Sequence, residues 1–94
     1  MNELNWLQEW YSKQCDGEWE HIYGVEIETL DNPGWHIKID LKDIKKEYDR
    51  TNKISIDYDD GEWISCTISP EKFEGSASCK KLEEVISTFR SWVE

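Results

Sequence analysis

The chain has no apolar run approaching the ~18 residues of a membrane span, and its first residues, Met1-Asn2-Glu3-Leu4-Asn5-Trp6, carry neither a basic stretch nor an apolar core of a leader. Both absences lead us to expect a cytoplasmic protein. Cysteine is sparse: Cys15, Cys66 and Cys79 form an odd set without CxxC spacing, which suits free thiols in a reducing compartment. No structural disulfide is expected. Basic residues are outnumbered, 11 against 21 acidic, and the resulting charge of −10 repels phosphate backbones and anionic headgroups. Nucleic acid and membrane are therefore poor partners, and a basic protein is a good one. Also missing are a Ser/His/Asp arrangement, a phosphate-cradling glycine loop, HExxH, internal repeats and low-complexity tracts.

What is present is aromatic. At 94 residues the chain is one domain, residues 1–94, and it contains six Trp. Each Trp buries about 150–250 Å² at about 25 cal/mol/Å², an upper bound on the order of 4–6 kcal/mol, so most of them belong in the core.

From Asn2 to about Gln14 the residues Leu4, Leu7, Trp10 and Tyr11 recur at helical spacing, with Trp6 on the margin of the apolar arc. Asp16-Gly17 ends this helix. From Ile22 to Leu30 alternation takes over, Asp31-Asn32-Pro33-Gly34 signals a turn, and Trp35, Ile37, Ile39 and Leu41 alternate again. The two apolar faces coincide only if the paired numbers sum to an even value, so the closing loop needs an odd number of residues. Glu26 and Glu28 then lie near His36, Lys38 or Asp40 on the outer face.

Lys42 to Lys53 is charged and aperiodic, a mobile connection in which Ile44 and Tyr48 suggest a short helical turn. A second hairpin follows, Ile54 to Tyr58 and Trp63 to Ile68 around Asp59-Asp60-Gly61-Glu62. Phe73 to Ala77 reads as a short edge strand. Leu82, Val85, Ile86, Phe89, Trp92 and Val93 form a second apolar helical stripe, with Ser78 as the expected N-cap. The expected fold is α+β: an antiparallel sheet of four to five strands built from two hairpins, with an N-terminal and a C-terminal helix packed on one face.

Three clusters invite a chemical reading. Asp16, Glu18, Glu20 and His21 offer carboxylates and an imidazole for metal binding or acid-base work, but their spacing also suits a loop whose Glu20 and His21 anchor it by hydrogen bonds. Asp57 to Glu62 superficially resembles a calcium loop, yet Gly61 comes too early and no Glu stands at position 12. Among the thiols only Cys79, before Lys80 and Lys81, has the electropositive setting of a nucleophile, and a cap-adjacent free thiol explains it as well. No catalytic residue, cofactor or metal is assigned.

The run Trp6-Leu7, Trp10-Tyr11, Gln14-Cys15-Asp16-Gly17, Trp19-Glu20-His21, Tyr23-Gly24, followed by Ile27, Thr29-Leu30-Asp31-Asn32-Pro33-Gly34-Trp35, resembles the immunity protein 53 family of bacterial polymorphic toxin systems. The tail, Leu82 to Ile86 with Phe89-Arg90 and Trp92, is similar too, while Lys42 to Lys53 departs from the pattern. The resemblance implies a small cytoplasmic inhibitor that binds a cognate toxin and blocks it. Charge and exposure nominate Glu18, Glu26, Glu28, Asp59, Asp60 and Glu62 as toxin-binding residues, with Trp6 as an aromatic anchor. The alternative is a small enzyme or metal-binding protein built on the Asp16 to His21 loop.

Overall fold

The computed structural model describes residues 2–44 and 51–94. A helix α1 (Glu3–Gln14) leads through a single turn of helix α2 (Trp19–Ile22) into strands β1 (Val25–Leu30), β2 (Gly34–Asp40), β3 (Asn52–Asp57), β4 (Trp63–Ile68) and β5 (Lys72–Ala77), and a helix α3 (Leu82–Val93) closes the chain. The strands form one sheet in the order β1-β2-β5-β4-β3, every neighbouring pair antiparallel. The architecture is α+β, with the N- and C-terminal helices on the sheet's apolar face.

The expected parity holds in the first hairpin. Val25 pairs with Ile39 and Leu30 with Gly34, leaving the three-residue loop Asp31-Asn32-Pro33. Ile37 and Ile39 thereby join Ile64, Cys66, Ile68, Phe73 and Ala77 as buried residues under the helices. On the opposite face Glu26 stands beside Lys38 and Glu28 beside His36.

Phe73 to Ala77 is corrected from an edge strand to the centre of the sheet, between β2 and β4. Its small residues gave the misleading signal, and α3 explains them. A Cβ added at Gly75 would run into Val85 Cγ1 of α3, so the helix lies on the strand only because glycine is there. The edges are β1 and β3.

Aromatic rings bind the layers in series. Tyr23 meets Trp19, Trp19 meets Trp10, Trp10 meets Phe89 at 5.1 Å between centroids, and Phe89 meets Phe73 at 4.9 Å. One chain of rings thus joins α2, α1, α3 and β5, and its two edge-to-face contacts, Trp10 with Trp19 and with Phe89, add about 0.5–1.5 kcal/mol each beyond area burial. Trp10 and Trp19 are buried; Trp6, Trp35, Trp63 and Trp92 are half-buried.

A polar clamp closes α1 against α3. Arg90 Nη1 lies 2.8 Å from Glu3 Oε1, its Nε lies 3.2 Å from the Glu94 carboxylate, and the guanidinium stands over the Trp6 ring. Both Arg90 and Glu3 are largely shielded from water, which makes this pair worth more than an exposed one.

Ser78 is also corrected. The helix begins at Leu82, with Lys81 at the N-cap position and no side-chain cap bond. The Ser78 hydroxyl instead accepts from Trp63 N at 2.9 Å and donates to Glu62 at 2.8 Å, joining the turn after β5 to the start of β4. The suggested helical turn from Ile44 to Tyr48 lies outside the described residues beyond Ile44, as does half of the connection from Lys42 to Lys53, whose last two residues open β3.

Candidate protein-binding surface

The acid-rich joint between α1 and β1 is a folded corner. Asp16 Oδ1 accepts from the backbone N–H groups of Glu18 and Trp19 at 3.0 and 2.9 Å, capping α2. Glu20 reaches back, accepting from Asp16 N and Gly17 N at 2.9 Å each. Such backbone donors, beginning with its own N–H, hold the Glu20 carboxyl below the usual carboxylate range. Gly17, at φ 94°, supplies the left-handed backbone the corner needs.

Of the two residues expected to anchor this loop, Glu20 does so and His21 does not. The His21 side chain is exposed. The segment around Trp19 is a single turn of helix, held by the reciprocal Asp16 and Glu20 bonds. Trp19 is buried and donates its indole N–H to the Lys42 carbonyl at 3.1 Å, while Tyr23 OH bonds Asp43, which sits at φ 61°. The carboxylates of Asp16 and Glu20 therefore serve the backbone. Among the described residues no group of three or more His, Cys, Asp or Glu is placed to hold a metal.

The thiols have separate environments. Cys66 is buried on β4, and burial pushes its thiol up to about 11, against a hydrogen bond to Thr88 that works the other way. Cys15 bonds the Tyr11 carbonyl at 3.4 Å, and Cys79 is exposed.

The outer face of the sheet carries no helix among the described residues. Across it runs a row Glu26, Lys38, Glu74, Thr67, Lys53, and beside that a row Glu28, His36, Ser76, Ser65, Ser55. Charges interleave: Lys38 lies 3.6 Å from Glu26, and His36 lies within 3.5 Å of both Glu28 and Glu74. Exposed pairs of this kind contribute about 0–1 kcal/mol, so their main effect is on the field presented to a partner. Glu26 and Glu28 project from the edge strand with 69% and 65% of their side chains exposed.

The seven nominated residues do not form one patch. Glu26 and Glu28 share the outer face of β1. Asp59, Asp60 and Glu62 belong to the β3–β4 turn, and by the strand order they lie toward the opposite edge. There Glu62 already holds Ser78 and the Lys80 N–H, and Asp60 accepts from Glu62 N. Glu18 is at the α1–β1 corner, next to Trp19 and Ile22. Trp6 is half-buried against Phe89 and donates to Glu94.

Apolar exposure adds what charge reasoning missed. Ile27, on the helix-facing side of β1, is 40% exposed, and Leu4 and Tyr11 of α1 are 54% and 37% exposed. Between helix and strand runs a groove of about 330 Å³ lined by Leu7, Gln8, Tyr11, Gly24 and Val25. The signal was in the sequence: the stripe of α1 is wider than one short helix covers against an edge strand.

A two-layer α+β domain whose described residues leave one polar sheet face without a helix and one edge half covered is the class these features define. The chain belongs to the immunity protein 53 family, whose model matches residues 4–94. No curated protein and no solved structure gives a significant match.

Proposed function

We propose that this chain neutralises a basic cognate toxin in the cytoplasm by direct, stoichiometric binding and without catalysis of its own. The observation that carries the reading is membership of an immunity-protein family along nearly the whole chain. The charge of −10 supports a basic partner, because an acidic body draws such a partner in and orients it. A nuclease fits this description, since enzymes that hold nucleic acid need a basic surface. Glu26 and Glu28 are the leading candidates for contact, as they stand side by side on one edge strand with 69% and 65% of their side chains exposed.

The test uses the purified product of the gene upstream of this one. Wild type should bind it one to one and abolish its toxicity in cells. Glu26→Lys with Glu28→Lys should weaken binding by about tenfold or more, equivalent to about 1.4 kcal/mol. Asp59→Lys with Asp60→Lys measures the contribution of the far turn. Unchanged affinity in both reversed proteins would remove the electrostatic part of the proposal; failure of wild type to bind would remove the whole.

A further inference from the structure

We propose that the open edge of β1 is where the partner docks, by adding an extended segment that alternates apolar and basic side chains. The inference rests on the toxin-binding reading and specifies its geometry. Backbone comes first. Asp40 N donates to Gly24 O at 3.0 Å, so Gly24 and Asp40 are a hydrogen-bonded pair of the antiparallel ladder. Alternation then turns the backbone groups of Glu26 and Glu28 toward β2, and those of Val25, Ile27 and Thr29 outward. A row of donors and acceptors faces away from the sheet, and among the described residues no strand pairs with it, so it can pair with another strand.

Side chains tell which strand. The outward-bonding residues Val25, Ile27 and Thr29 point their side chains to the helix side, where Ile27 is 40% exposed beside the groove between α1 and β1. A strand laid on this edge would place every second side chain there, and apolar groups would bury the surface that α1 leaves open. Its other side chains would fall beside Glu26 and Glu28, where basic groups are favoured. The opposite edge lacks this combination. On β3 the residues Ile54 and Ile56 are half-buried, and the outer face mixes Lys53, Ser55 and Asp57.

A second copy of this chain is a poor occupant. With Val25, Ile27 and Thr29 forming the bonded pairs, antiparallel pairing of β1 with itself requires even register sums. Centred on Ile27 it sets Glu26 opposite Glu28, and shifted by one step it sets Glu28 opposite Glu28 or Glu26 opposite Glu26. Like charges directly opposite destabilise a strand pair, and each copy already carries −10. The charge pattern selects a basic partner strand.

The edge can be tested one hydrogen bond at a time. Ile27→Pro deletes an outward N–H and leaves the β2 ladder intact, because proline is tolerated where the N–H faces solvent. Ser55→Pro is the matched control: Tyr58 N bonds Glu62 O, so Ser55 is an outward residue of the other edge. Binding to the purified upstream gene product should fall about tenfold or more for Ile27→Pro and stay within about twofold for Ser55→Pro. Amide hydrogen exchange on the wild-type complex provides a readout that needs no variant: Val25, Ile27 and Thr29 should become protected. If wild type binds the toxin but these amides exchange as in the free protein, or Ile27→Pro folds and binds normally, the edge proposal fails and the immunity reading stands. If wild type does not bind, both fail. Protection that instead grows with the concentration of the free protein would identify a second copy as the occupant and overturn the assignment.

Discussion

Glu20 shows how little acid content says about chemistry. Its carboxylate accepts two backbone N–H groups from residues three and four positions earlier, and Asp16 returns the arrangement by capping α2. A carboxyl held below its usual range in the folded state contributes stability above the unfolded value of about 4.3 and loses it as pH falls through the folded value. Glu20→Gln should therefore lower the thermal midpoint at pH 7, and the gap to wild type should close as pH drops below the carboxylate range. Thermal scans from pH 7 to pH 3 check this. A gap that persists at pH 3 would mean the loss comes from packing and not from charge. The imidazole next door, which the sequence offered as a fellow anchor, points to solvent, because four residues of helix place it on the side away from Trp19.

At the scale of elements, the decisive contact is α3 against β5. Gly75 is buried, and an added methyl would meet Val85 Cγ1 together with Ile37 and Phe73 carbons at 3.3 Å. Gly75→Ala should cost about 1–3 kcal/mol, read from urea unfolding, since a packed interface can only strain to admit the group. Gly24→Ala, where an added Cβ meets nothing within 4 Å, is the control and should be close to neutral. A neutral Gly75→Ala would show that helix and strand have slack between them. This position also explains which parts of the fold were legible. Both long helices and both hairpins followed from periodicity, and the odd loop from parity, because each is written in local spacing. β5 was found but put at the edge: Gly75-Ser76-Ala77 reads as weak strand until the helix lying over it is known. α2 was missed, since a four-residue helix has no period, although Asp16 followed by Glu20 was the trace of its capping. Of the surface, the acids of β1 were legible, while the half-covered groove beside them depends on where α1 comes to rest.

For the whole molecule the governing quantity is charge. A body of −10 meeting a basic partner is steered by a field that salt screens, with a Debye length of about 10 Å at 0.1 M falling to about 3 Å at 1 M. The association rate with the toxin should drop about tenfold or more between 0.05 and 0.5 M salt, while the dissociation rate changes much less. Stopped-flow mixing across that range decides it, and a flat association rate would eliminate steering. In the proposed complex the edge contact and the long-range field would act at different stages, one setting how tightly the partner is held and the other how soon it arrives.

The place of β5 in the strand order bears on synthesis. β1–β2 and β3–β4 share no strand boundary, and only Lys72–Ala77, lying between β2 and β4, makes them one sheet. A ribosome that stalls before that keystone releases two hairpins, each marginal in water by itself. The fold is non-local by construction: β5 follows both hairpins in the chain, so the sheet cannot become continuous until Lys72–Ala77 is available. A copy interrupted before Lys72 therefore has no continuous sheet, because its two hairpins lack the strand that both of them pair with.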